Sequence, residues 1–384
     1  MVEMKGLKNR GYLRTDVNER RRAAEEFTGA ELENISKYCF SSEKASKNIE
    51  NMIGAVQIPL GYAGPVRIAG DFAQGEFLIP LATTEGALVA SIARGMSVIN
   101  EGGGATASVL SDTMTRAPVF RVDGLDHAKR TIGWIEDNFA LVEAAAASTT
   151  SHGKLQGIEP FISGRGLYLR FSYTTGDAMG MNMVTIATEA ACELIEEHTG
   201  AQLVSVSGNM CTDKKPAAVN FIKGRGKTVV AEARIPGAVV EARLHTTSAQ
   251  IAETNYRKNL VGSVLAGTMG ANAHAANMVA ALYIATGQDP AQVVGGSMAV
   301  TSCEDIDGDL YISVRMPTVE VGTVGGGTSL PCQSEALNMI GCAGDGKSKK
   351  LSEIVAATVL AGELSTLAAQ AARHLGKSHN ALGR

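Results

Sequence analysis

The chain has 384 residues, 45% of them hydrophobic, and a formal net charge of -4. That length exceeds the ordinary single domain and predicts two bodies, each large enough to bury a core, while the acidic balance argues against nucleic acid or an anionic membrane as a partner. The six cysteines, Cys39, Cys192, Cys211, Cys303, Cys332 and Cys342, include no C-x-x-C pair. Neither a metal site nor a disulfide framework is predicted, and a reducing cytoplasm fits.

The N-terminus, MVEMKGLKNRGYLR, is polar and basic and lacks the apolar stretch of a secretory signal. Residues 1–49 read as an N-terminal helical segment that ends in the polar connection SSEKASKN. FLIPLATTEGALVASIARGMSVIN, residues 77–100, reads as a strand, a turn at Thr83 and Thr84, and a helix striped by Leu88, Ile92, Met96 and Ile99. GGGATA, 102–107, has the spacing of a weak dinucleotide fingerprint, but it follows a helix and reads as a tight turn.

Residues 118–208 run strand, helix, strand, strand, helix, strand: PVFRVDG, LDHAKRTIGWIEDNFALVEAAAAS, GKLQGIEPFIS, GLYLRFSYTTG, MNMVTIATEAACELIEEHTG and AQLVSVSG. This βαββαβ order is the ferredoxin-like pattern, which closes a small domain and returns the chain near its start. The predicted fold is therefore α+β, with the small domain 118–208 inserted into a larger mixed α/β domain built from 50–117 and 209–384. In the larger body TVVAEARIPGAVV supplies a strand and DLYISVRMPTVEVGTV two more, while 259–286 and 351–375 are helical. Residues 259–287 are long enough to span a bilayer, yet Asn272, His274 and Asn277 interrupt them, so buried helices are predicted. GCAGDGKS, 341–348, matches a phosphate-binding loop with Lys347 and Ser348 in the key places. Such a loop needs a buried strand before it, and PCQSEALNMIG looks helical, so a helix-to-helix connection is the preferred reading.

Four positions place a titratable group at the edge of an apolar element. Glu85 precedes a helix, where the macrodipole favours its anion and burial would raise its pKa; an ordinary first-turn carboxylate is the plainer alternative. Lys214 and Lys215 adjoin in GNMCTDKKPAAVNF, beside Asp213. Two close ammonium groups, partly desolvated, predict a lowered lysine pKa or a clamp on a carbonyl oxygen, against the alternative of a solvated loop. Asp289 follows Gly287, a natural helix C-cap, so capping alone would explain it. His379 lies in a C-terminal tail, where a solvated histidine is the plain reading.

The blocks ENMIGAVQIPLGYAGP, LATTEGALVAS, GDAMGMNMV, GNMCTDKKPAAVN, NAHAANMVAALYIATGQD, GTVGGGTSLP and KSHN, in this order, resemble the 3-hydroxy-3-methylglutaryl-coenzyme A (HMG-CoA) reductase family over nearly everything from residue 48 onward. The chain resembles its soluble, archaeal form, without the N-terminal membrane region of animal and fungal members. The resemblance implies a large domain for the acyl-CoA and an inserted domain for NADPH, with NADH left open. It further implies a homodimer or tetramer of dimers with active sites between subunits. The implied reaction reduces HMG-CoA to mevalonate and CoA. Carried across by motif, Lys214 stabilises the oxyanion, Glu85 is the acid/base, Asp289 couples the two, and His379 protonates the departing thiolate. Arg116, Ser207, Asp213, Lys215, His274 and Asn277 fall at substrate-binding positions. Asp177, Met179, Gly180, Met181, Asn182, Gly287, Gln288, Val324, Gly325 and Gly326 fall at cofactor-binding ones. Where animal members read the 2′-phosphate of NADPH with an arginine, this chain has Ser151, leaving His152 or Lys154 as substitutes. A P-loop NTPase and a non-catalytic acyl-CoA-binding protein are the competing readings.

Overall fold

The computed structural model describes residues 11–373. Helix α1 (Arg14–Thr28) and a 3-10 turn (Ser42–Ala45) form the N-terminal arm. Strands β1 (Leu60–Gly70) and β2 (Gln74–Ala82) make an antiparallel pair, followed by α2 (Leu88–Glu101) and β3 (Ala105–Arg116). The stripe on α2 is buried as its spacing requires, with Ile92, Met96 and Ile99 at 0% exposure. Each such side chain contributes roughly 1.5–3 kcal/mol.

Next come β4 (Val119–Arg121), α3 (Leu125–Asp137), α4 (Phe139–Ala147), β5 (Lys154–Ser163), β6 (Gly166–Thr174), α5 (Met181–Thr199) and β7 (Gln202–Ser205). The single helix predicted over 125–148 is broken at Asn138, whose backbone N–H and side-chain amide both donate to the carbonyl of Trp134. A short amide side chain competing for a helical carbonyl interrupts the ladder. The four strands lie in the order β7-β4-β6-β5, every neighbour antiparallel. Their apolar faces and α5 share one core, which includes Phe120, Leu169, Phe171, Val184 and Cys192.

The rest of the chain forms α6 (Ala218–Lys223), β8 (Gly226–Ile235), α7 (Gly237–Leu244), α8 (Ser248–Thr254), a π-helical stretch (Asn255–Gly262) and α9 (Ser263–Ala266). After these come α10 (Ala275–Thr286), α11 (Val293–Gly296), β9 (Val300–Ile306), β10 (Asp309–Val319), α12 (Pro331–Met339) and α13 (Ser348–Ala371). Their sheet runs β2-β1-β3-β8-β10-β9, antiparallel except for β1 with β3. It packs with α2, α10 and α13 in a second, larger core. Strand β3 joins the two sheets: Thr106–Thr113 pair with β8, and Met114–Arg116 pair with β6.

Two further expectations are corrected. Residues 309–324 hold one strand, not two; its hairpin partner is β9, reached through Asp307-Gly308, both at positive φ (53° and 91°). That is the two-residue turn whose twist suits a hairpin. The apolar run 259–287 is not uniformly buried helix either. Its first part leaves Val264 and Leu265 about four-fifths exposed, the chain is non-helical from Gly267 to His274, and only α10 enters the core. Among the described residues the one helix long and apolar enough to cross a membrane is α13, and it is the buried centre of the larger core. Gly95 of α2 permits this: a side chain there would meet the backbone oxygen of Ala361 at 1.9 Å.

Candidate active site

The loop between β7 and α6 carries Lys214 in a strained path. Asn209, Thr212 and Lys214 all have positive φ (66°, 49° and 59°), a conformation that costs about 1–3 kcal/mol at a non-glycine residue and clusters at functional sites. Buried Asn220 holds it by donating to the carbonyls of Cys211 and Thr212. Lys214 Nζ lies 2.9 Å from Asp289 Oδ2. The expected lowering of the lysine pKa is reversed: the hydrogen bond to Asp289 raises it, outweighing desolvation. Both lysines are exposed, and Lys215 has a different partner, its Nζ donating to the carbonyl of Asp213. Asp289 also caps the following turn through Ala291 N–H, so capping and ion pairing are both true of it.

Lys214, Asp213 and Asp289 line a cavity of about 980 Å³ together with Arg116, Ala178–Met183, Gly287, Gln288 and the 322–328 loop. Arg116 is half-buried, and its Nε is enclosed without a hydrogen-bond partner. Ser207 sits 3.5 Å from the Cys211 thiol, outside the cavity lining. Gly287 (φ 71°) and Gly327 press together so closely that a side chain on Gly287 would stand 2.4 Å from the Gly327 carbonyl oxygen. The glycine loop can therefore offer bare backbone at Val324, Gly325 and Gly326. Met179, Gly180, Met181 and Asn182 bring the start of α5 to the same wall. Gln288 instead acts as a pin, its buried carbonyl accepting from Gly322 N–H. Ser151 and His152 are exposed and Lys154 faces Glu143 at 4.0 Å; none of the three lines the cavity.

Asp177 is committed elsewhere. Its carboxylate accepts from the N–H of Gly346 (2.6 Å) and of Ser348 (3.0 Å), inside the loop whose sequence matched a phosphate cradle. Burial alone would raise its pKa, but these backbone bonds outweigh it and hold the carboxyl below its ordinary range. The loop joins α12 to α13, with no strand before it. An internal carboxylate thus takes donors a nucleotide phosphate would need.

Glu85 occupies a different cavity, of about 320 Å³, with no lining residue in common with the first. It is exposed, not buried, and Oε1 accepts from Asn277 Nδ2 at 3.2 Å. Asn277 also meets His274 Nδ1, and His274 Nε2 lies 2.6 Å from the Thr366 hydroxyl. Buried Glu363 accepts from the N–H of Ala273 and His274, fixing the turn that presents both. Within one chain the structure brings together Lys214, Asp213, Asp289 and Arg116, and separately Glu85, His274 and Asn277. His379 lies outside the described residues. Sequence reasoning missed Arg225, Glu320 and Gln292, which stand behind the lysine loop; a charge at each end of an apolar strand, as in GRGKTVV and MPTVEVG, was the available signal.

An ion-paired lysine on a large concave surface, flanked by glycine-rich backbone, is the arrangement of an enzyme. The family profile for hydroxymethylglutaryl-coenzyme A reductase matches residues 16–384. The reductase of Haloferax volcanii is 54% identical over 375 residues, covering 96% of this chain and 93% of that protein. The one from Pyrococcus horikoshii is 54% identical over 374 residues, covering 95% and 91%. The chain belongs to the hydroxymethylglutaryl-coenzyme A reductase family, a family of oxidoreductases. Its fold is also that of a class II reductase from Streptococcus pneumoniae solved with NADPH, at TM-score 0.69 and 19% identity, covering 96% of this chain and 84% of that one.

Proposed function

We propose that this chain reduces HMG-CoA to mevalonate and CoA. The observation that carries the reading is Lys214, charged and fixed on Asp289 at the wall of the large cavity. A lysine whose pKa is raised stays an ammonium across the physiological range, which suits an oxyanion-stabilising donor rather than a base. Arg116 is placed to take the substrate's free carboxylate. The backbone at Gly325 and Gly326, with Met179–Asn182 opposite, fits an extended dinucleotide, so these residues would hold NADPH. When bound, NADPH supplies the two hydrides. The chain's own groups manage the protons and the charge: Lys214 neutralises each developing oxyanion, Glu85 protonates the alkoxide formed from the enzyme-held aldehyde, and His379 protonates the thiolate released from the hemithioacetal.

The reading requires a second copy. Glu85 and Lys214 sit near opposite ends of α10, and about 15 Å of helix separates Asn277 from Gly287. We infer a homodimer, or a tetramer of dimers, in which one protomer's Glu85, His274 and Asn277 face the partner's Lys214 and Asp289. Residues 118–208, with their own core and antiparallel sheet, are proposed to be an inserted ferredoxin-like cofactor domain, with 1–49 as a separate arm and the remainder binding acyl-CoA. A cytoplasmic setting is part of the same proposal.

Mixing protein, HMG-CoA and NADPH should consume two NADPH per CoA released. Folded protein that oxidises neither NADPH nor NADH with this substrate would overturn the reading. Binding of CoA undiminished in function by Lys214→Ala would favour a non-catalytic acyl-CoA binder.

A further inference from the structure

Behind the lysine loop lies a buried charge chain that the reaction scheme does not use. Arg225, just before β8, is fully buried and bridges two carboxylates: Nη2 is 3.2 Å from Asp213 Oδ1, and Nη1 pairs with Oε1 of Glu320. Asp213 Oδ1 also accepts from buried Gln292 Nε2 at 2.9 Å. Glu320 Oε2, the Tyr283 hydroxyl and Gln292 Oε1 are buried without hydrogen-bond partners. Space for Glu320 is kept by Gly295, where a side chain would come within 2.6 Å of Oε2. A buried ion pair with unmatched polar atoms is a poor device for stability, since well-packed apolar groups do as well, so its retention calls for another purpose.

We propose that Glu320 is a positioning residue: its carboxylate anchors Arg225, which holds Asp213 and thereby keeps the strained 209–215 loop, with Lys214, in register with Asp289. This rests on the reading of Lys214 as the group that meets the substrate carbonyl. The groups facing Glu320 are Arg225 from the bend before β8, Asp213 from the lysine loop, Asp289 from the turn after α10, and Tyr283 from α10 itself. Burial pushes the Glu320 carboxyl up to about 7, against the lowering pull of Arg225, with Asp213 and Asp289 adding to the rise. The anchor is therefore charged above neutral pH and uncharged below it.

The test is a pH series from 6 to 9 on wild type, Glu320→Gln, Arg225→Gln and the double variant, with kcat and KM for HMG-CoA and NADPH measured separately. Glu320→Gln should lower kcat about tenfold at high pH and flatten the acid limb, and the double variant should be no worse than Arg225→Gln, the signature of coupled residues. The double variant leaves no fully buried charge unpaired and keeps the Gln292 amide on Asp213, so it reports even where a single variant fails to fold. A profile lowered equally at every pH, or additive losses, would overturn the inference. A second readout needs no turnover: acylation of Lys214 in the unliganded protein, followed by mass spectrometry, should be several-fold faster in Glu320→Gln. Faster labelling in a protein whose wild type lacks reductase activity would leave the anchoring intact and remove the functional reading. Unchanged labelling in an active enzyme would do the reverse.

Discussion

Two separate variants test whether the site is shared between chains. Glu85→Gln and Lys214→Met each remove one charged group, the two lying beside opposite ends of α10, and each should lower kcat by about 10²–10³, the usual loss for a group that stabilises developing charge. If each site takes its glutamate from one protomer and its lysine from the other, a dimer of the two variants contains one site with both substitutions and one with neither. Random pairing makes half the dimers mixed, each with one intact site of two, so about 25% of wild-type activity should return. Distinct affinity tags on the two chains allow the mixed dimers to be purified, and these should then show about half the wild-type activity. The assay is NADPH oxidation at saturating substrate, with each parent homodimer measured alongside. Purified mixed dimers no more active than the mean of the parents would show that one chain supplies both groups, and the shared-site arrangement would fall.

Three further outcomes are expected. Arg116→Gln should raise KM for HMG-CoA about 10–100-fold through loss of a charged hydrogen bond of roughly 1.5–3 kcal/mol, leaving KM for NADPH unchanged; an equal rise in both would show general damage instead. Asp177→Asn should cost about 1 kcal/mol once solvent screening is allowed for, seen as a lower thermal midpoint at neutral pH. Because the folded carboxyl titrates below its unfolded value of about 3.9, this stabilisation is present above that value and is lost as pH falls through the folded pKa, so the two melting curves should converge in acid. Gly287→Ala places a methyl against Gly327 at positive φ and should destabilise by about 1–3 kcal/mol, with weaker NADPH binding by fluorescence titration; an unaltered titration would separate that glycine contact from the cofactor.

Much of the architecture could be read from periodicity. The stripe on α2, the strand and helix order of 118–208 and the helix-to-helix nature of 341–348 are local patterns, and local patterns survive into the structure. Strands β1, β3 and β9 escaped notice for different reasons. β1 is interrupted by Gly64-Pro65, β3 is rich in Ser and Thr, and β9 is a polar edge whose best sign was the Asp307-Gly308 turn. Charge states were harder to foresee than positions. Adjacent lysines suggested mutual repulsion, but the backbone at Lys214 sends the two ammonium groups to different partners, and Asp289, 75 residues on by sequence number (289 − 214), decides the sign. Likewise Asp177 looked like a ligand-facing acid because of its motif, and only the fold shows which amides it reaches.

That reach ties two cores together. The smaller sheet is continuous with the larger one along β3, and Asp177, in the turn after β6, fastens it again to the first residues of α13. The glycine loop is fastened to the same turn: Thr323 N–H donates to the Asp177 carbonyl, and Ala178 bridges Val324. Widening the trough between the glycine loop and α5 would therefore have to break backbone bonds to this turn, so its floor opens last.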